Sequence, residues 1–311
     1  MRLTRIPKPF HPARFYASHR PLVQFGSRIR PPRPQESARR RFHHQFPKMS
    51  TTTTTTTPAP PTPAQLLEPL ANPSAGAATA DAVQAAVQGF SDQLRANQAS
   101  IGDFVWAAYG AVFDAVDRTP PERQDRLVEF VARLRETAVN GADGKPLVHE
   151  GGELWTDLPT FGWVVRDKWN FDPSDPAATA QQRASWENLT AFVAQLTARS
   201  EGPDDPLDFS MFGLWAMREA FEDDNGVGSD AAVRLAALWV RIAGARLRKL
   251  SADGHELSAR LGVPQGKYAD RGWKGFNEER WKAWGDELKV AQASLGSDPT
   301  VQGAAKAMEE L

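Results

Sequence analysis

Six side chains suited to binding or proton chemistry, Trp155, Asp157, Trp163, Arg166, Asp167 and Trp169, fall within a span of fifteen residues. If Phe161 to Trp169 is helical, Arg166 and Asp167 follow Trp163 by three and four positions, so one face carries an indole, a cation and a carboxylate. Such a set can stack a planar molecule on its indoles while Arg166 pairs with a carboxylate or phosphate and Asp167 orients the guanidinium. The competing reading makes the tryptophans core packing and Arg166 with Asp167 a structural ion pair between helices. That is the commoner fate of aromatic residues at helical spacing.

A second stripe, Met211, Leu214, Trp215 and Arg218, puts a guanidinium on an apolar face, where a charge is costly without a partner. Glu187 or Asp167 across a helix interface, or Glu219 or Glu222 locally, are the acids in reach. A buried interhelical ion pair is favoured over an anion site. The ligand-binding candidates are therefore Trp155, Trp163, Arg166, Asp167, Trp169 and Arg218. Trp281 and Trp284, preceded by Arg280, read as the docking edge of a late helix.

Other chemistries are bounded by composition. With no cysteine in 311 residues there is no disulfide, thiolate metal site or Cys nucleophile. His149 with Glu150, and His255 with Glu256, lack the spacing that sets metal ligands on one helical face. Ser210 has no nearby histidine, and the GVGSD run at Gly226 lacks the lysine of a phosphate loop. No catalytic residue, metal or cofactor is expected. Asp204, Asp205 and Asp208 read as complements to a helix N-terminus, and Glu222, Asp223 and Asp224 as a solvated loop.

The elements that must position these side chains are helices. Val105, Tyr109, Val112 and Val116 form one stripe and Leu127, Phe130, Val131 and Leu134 another. Thr119, Pro120 and Glu122 resemble the capped start of the second, and the two are expected to form an αα-hairpin. Asp175-Pro176 and Asp205-Pro206 open two further helices, carrying Leu189 to Leu196 and Leu214 to Phe221. Ser229 caps a long one that ends before Gly254, Asn277 caps the next, and Pro299 begins the last. Runs of strand type are absent, so the expectation is an all-α, single irregular multi-helix bundle preceded by a disordered N-terminal region.

The formal net charge of −1 conceals a division. Residues 1–48 hold ten Arg and two Lys against one acid, a net +11, whereas the remainder holds 25 basic and 37 acidic residues, a net −12. Three readings compete for 1–48: a mitochondrial presequence, though its many prolines interrupt an amphipathic helix; a nucleic-acid or acidic-membrane arm; and an extension upstream of a true start at Met49. The last is adopted. Residues 49–78, with the Thr51–Thr57 run and several prolines, read as disordered linker, and 79–311 as the helical domain.

The stretch LWTDLPTFGWVVRDKWN, Leu154 to Asn170, resembles the signature of a fungal family of uncharacterised proteins, a domain of unknown function. WENLTAF from Trp186, LWAMREA from Leu214 and GFNEERWKAW from Gly275 fit the same resemblance in order and spacing. It implies a helical fold and brings no reaction, cofactor or catalytic residue with it. The function expected is a non-enzymatic interaction or scaffold module of the cytoplasm, or of mitochondria if 1–48 is a presequence. The alternative is a small-molecule binding protein or enzyme for an aromatic or acidic metabolite. The partner is a protein or a small molecule. Nucleic acid is disfavoured for the acidic domain, and no apolar run is long enough to span a membrane.

Overall fold

The computed structural model describes residues 60–72, 79–171, 175–258 and 260–311. The basic segment 1–48 and the boundary at Met49 lie outside the described residues. The helical body is Pro61–Leu311. It comprises α1 (Pro63–Ala71), α2 (Thr79–Ala96), α3 (Ile101–Asp117), α4 (Asp125–Arg135), α5 (Phe161–Lys168), α6 (Ala180–Ala198), α7 (Ser210–Phe221), α8 (Asp230–Ala252), α9 (Glu278–Leu295) and α10 (Pro299–Glu310). Among the described residues, strand pairing within a sheet is confined to a short antiparallel hairpin, Val148–His149 with Gly152–Glu153, in the glycine-rich loop before α5. The fold is all-α.

Part of the expected linker is folded. Thr62 closes a capping box with Gln65, Pro63 supplies the first helical residue, and Leu67, Leu70 and Ala71 are buried against α2, α3 and α4. The Thr/Pro-rich composition hid a nine-residue helix whose stability comes from its apolar stripe and not from its length. Gly89 of α2 leaves the room that Leu66 occupies, since a Cβ there would lie 2.6 Å from a Leu66 methyl.

The α3–α4 connection also differs from expectation. Pro121 forces Pro120 into an extended conformation (φ −58°, ψ 152°), so a short 3-10 turn intervenes and α4 starts at Asp125. Thr119 caps nothing: its hydroxyl donates back to the Ala115 carbonyl. The detour lays α4 on α2, while α3 lies on α1 and α6, in place of an αα-hairpin. Buried Gln124 ties the turn to α6 by donating to the carbonyls of Thr119 and Asn188.

Downstream, α6 begins at Ala180, where Thr179 and Gln182 form a capping box, and not at Asp175-Pro176, which make a turn. The Asp205-Pro206 start moves to Ser210. Ser229, Asn277 and Asp298 cap α8, α9 and α10 as their sequences indicate. α8 is the hub, packed on α6, α7, α9 and α10.

One chain of aromatic contacts runs through the body. Phe130 meets Phe90 edge-on at 4.8 Å, Phe90 meets Trp155, and Tyr109 links Trp155 to Phe161 at 5.0 Å. From Phe161 the contacts continue through Phe209 and Phe212 to Trp215. If α1 belongs to this core, Leu67→Ala costs about 2–5 kcal/mol of unfolding free energy. Denaturant titration measures it, and an unchanged midpoint would return residues 63–71 to linker status.

Candidate functional site

The turn before α5 is built by Asp157, whose carboxylate accepts from the Glu153 amide at 2.8 Å, and by left-handed backbone at Leu158 and Thr160. It aims Phe161, Val164 and Val165 inward and leaves Trp163, Arg166 and Asp167 outward. This separates the six candidates. Trp155 is fully buried, donates to the Ser91 hydroxyl and sits among Phe90, Phe104 and Tyr109, so it is core. Trp169 is wedged between Trp186 and Phe212, at 4.6 and 4.5 Å. Trp163 stays 38% exposed. Asp167 is exposed, and among the described residues it makes no ion pair with Arg166 or across a helix interface.

Arg166 instead lies over the indole of Trp215 on α7, 5.5 Å from the ring centroid. Trp215 donates its indole N–H to the Leu261 carbonyl at 3.2 Å, and Arg218, one turn on, donates to the same carbonyl at 3.2 Å and to Gln265 Oε1 at 3.0 Å. Arg218 therefore lacks the interhelical ion pair expected of it. Glu187 is engaged by Arg234, and Glu222 by other donors. Burial pushes the Arg218 guanidinium down, against the pull of Glu222 and with the repulsion of Arg280, and its Nε is buried without a hydrogen-bond partner. Arg166, Trp215 and Arg218, with Trp163 one turn before Arg166, form a partly exposed strip across α5, α7 and the Leu261 and Gln265 contacts of the segment before α9.

That segment is held by a buried ion pair placed elsewhere than the sequence suggested. Arg280 and Glu222 are both fully buried and meet at 2.7 and 3.0 Å through Nε and Nη2. Glu222 also accepts from the Trp284 indole at 2.9 Å and the Gln265 amide at 3.0 Å. Arg280 also donates to the carbonyls of Gly262 and Gly275 and lies over the rings of Trp273 and Trp284. Glu222 is thus no part of a solvated loop. Its signal in the sequence was its own misfit, a carboxylate at a helix C-terminus, where the dipole disfavours it. Arg280 was marked by position, since Arg280, Trp284, Leu288 and Ala291 form one helical stripe.

The backbone comes so close here that glycine is required. A Cβ on Gly262 would lie 2.0 Å from the Lys274 carbonyl oxygen, and one on Gly266, at φ +52°, 1.9 Å from that of Glu222. Tyr268 and Lys267 fasten the segment to α9 through Glu287; burial, aided by Glu287, pushes the Tyr268 phenol up to about 12.

The remaining polar groups are structural. Asp205 and Asp208 do more than offset a helix dipole: both are nearly buried, paired with Arg135 and Arg246, and Asp208 also accepts from the Ser210 amide. Among the described residues no group of three His, Asp or Glu side chains could hold a metal ion, and no helix is long and apolar enough to cross a membrane. A groove of about 260 Å³ between α9 and α10, floored by Trp281, Leu288, Ala305 and Met308, contains none of the ligand candidates. It falls short of the roughly 300–1,000 Å³ usual for small-molecule pockets.

The family described as "Protein of unknown function (DUF3632)" matches residues 109–288. The chain belongs to this family. The matched region contains the whole surface strip together with Glu222 and Arg280, and leaves α1, α2 and α10 outside. Comparison with curated proteins and with solved structures finds no match.

Removing one member of a buried pair leaves the other uncompensated. Arg280→Met is expected to cost about 3–5 kcal/mol in denaturant unfolding, and adding Glu222→Leu to recover part of it. A single variant as stable as the parent would remove the pair from this role. His255 offers a pH test. Burial lowers its pKa below the ordinary 6.5, with Arg246 adding to the shift and Asp208, Asp204 and Asp253 opposing it. The unfolded chain then binds more protons, so this contribution is complete above about pH 6.5 and is lost as pH falls toward the lowered folded value. His255→Gln should flatten the fall in melting temperature between neutral and mildly acidic pH.

Proposed function

We propose that this protein is a non-enzymatic interaction module that engages a partner through the strip carried by α5, α7 and segment 257–276. The observation behind the reading is the pairing of an exposed indole, Trp163, with a guanidinium, Arg166, stacked on Trp215 at the surface. Tryptophan and arginine dominate the residues whose truncation costs about 2 kcal/mol or more at protein interfaces.

The supporting architecture is rigid. Trp215 ends the aromatic chain and is hydrogen-bonded to Leu261, so Arg166 rests on a fixed plate. A preorganised plate spares a partner the entropy of ordering it, which raises affinity without added area. The strip is open and not enclosed, and such a surface suits a macromolecular segment better than a metabolite.

The test places a photo-crosslinking amino acid at position 167, exposed on the same helix, with Trp163 and Arg166 intact. The control carries it at Val290, which is 60% exposed on α9. Illumination of cells making the full chain is expected to give discrete protein adducts from 167 that are missing from 290 and are lost with Trp163→Ala. Adducts no different between the two positions would overturn the reading.

A further inference from the structure

Resting on that reading, we infer the chemistry of what the strip meets: an acidic peptide segment of a partner protein, its carboxylates pairing with Arg166 and Arg218 and its apolar side chains covering Trp163. The inference comes from charge. Elsewhere on the body arginines are largely matched, as with Arg234 to Glu187 and Asp298, Arg246 to Asp208, and Arg199 and Arg133 to Glu129. The strip departs from this pattern. Among the described residues, Arg166 has the Trp215 ring as its contact and no carboxylate, and Arg218 has a carbonyl and an amide oxygen. Arg260, next to Leu261, is exposed, and no ion pair of it occurs among the described residues.

The acid nearest in function is spent. Glu222, one turn beyond Arg218, already accepts from Arg280, Trp284 and Gln265. Arg218 thus feels Glu222 only at a distance while Arg280 holds it, and Arg166 and Arg260 add positive charge that the exposed Asp167 and Glu219 offset in part. A half-buried guanidinium in this state is stabilised by any anion that arrives, and an arginine stacked on an indole keeps its N–H edge for bidentate carboxylate pairing.

Two observations favour a short acidic segment over a polyanion or a small acid. The chain from residue 49 onward carries a net −12, which repels long polyanions at a distance while leaving a local cationic strip to pair at contact. The exposed Trp163 indole adds flat apolar area beside the cations, matching a peptide that interleaves Glu or Asp with apolar residues.

The experiment uses the full chain and a fluorescent peptide of alternating glutamate and leucine, read by anisotropy, with the lysine-for-glutamate peptide as counterpart. The acidic peptide is expected to bind and to weaken as salt rises, and Arg166→Glu to lower its affinity about tenfold or more. Arg166 is exposed, so this variant should melt like the parent; Arg218→Lys, which keeps charge but not the planar fork, should show a smaller loss. Equal binding of the lysine peptide, or an Arg166→Glu affinity equal to the parent's, would overturn the proposal. Displacement of the acidic peptide by an equal concentration of inorganic phosphate would reassign the strip to phosphate and overturn the carboxylate assignment. Crosslinking from position 167 without acidic-peptide binding would reject this partner chemistry alone, whereas loss of the crosslinks rejects the interface itself.

Discussion

The arrangement of the C-terminal half depends on one interaction, the ion pair of Arg280 with Glu222. Two charges removed from water cost several kcal/mol each unless every lone pair and N–H is met. Here they nearly are. Glu222 accepts four hydrogen bonds, from two atoms of Arg280, from Trp284 and from Gln265, and Arg280 spends its remaining donors on the carbonyls of Gly262 and Gly275. Those contacts fix the segment between α8 and α9, which among its described residues has one 3-10 turn and no α-helix. A chain without regular structure must satisfy its backbone groups through side chains or close packing. Arg280 supplies the first, and glycines at 262, 266 and 275 permit the second.

The exposed strip is a consequence of that clamp. The Leu261 carbonyl is positioned by the segment that Arg280 holds, and Leu261 in turn accepts from Trp215 and Arg218. Trp215 also terminates the aromatic chain that begins at Phe130, so its ring is fixed from within by Phe212 and from the rim by Leu261. Arg166 then finds a plate whose orientation owes nothing to α5. The surface around Trp215 is assembled from three parts of the chain, each immobilised by a different means: the α5 turn by Asp157, α7 by packing on α8, and the segment before α9 by the buried pair.

Three carboxylates act as internal fasteners. Asp205, Asp208 and Glu222 are each largely buried and each joins an arginine from a distant part of the chain. Their conjugate arginines are thereby neutralised, which makes the unmatched cations around Trp215 conspicuous on a body that is acidic overall. Arg123 and Arg241 also show no ion pair among the described residues, so the face is marked by the stacking of Arg166 on Trp215 and not by unmatched charge alone, while the α9–α10 groove is lined by charges of both signs, Lys282 and Lys289 with Asp286 and Glu309.

Sequence periodicity and caps by themselves determined the helical class, the extent of α8, the starts of α9 and α10, and the inward stripes of α3 and α4, because hydrophobic period and N-cap chemistry are local properties. Residue chemistry also singled out Trp163, Arg166 and Arg218, which lie on α5 and α7, the two helices joined by the Arg166–Trp215 contact. Tertiary structure alone decided the rest. α1 is helical through contact with α2, α3 and α4, a stabilisation that no window around Thr/Pro-rich sequence contains. Trp155 and Trp169 part from Trp163 because the turn at Thr160 leaves Trp155 in the core and the end of α5 lays the partly buried Trp169 against it. The partner of a charge is equally non-local: Glu222 and Arg280 are separated by 58 positions, and nothing in either neighbourhood names the other. Burial of charge could be read from the apolar stripe that Arg280 begins, but which acid met it was fixed by the packing of α7 against α9.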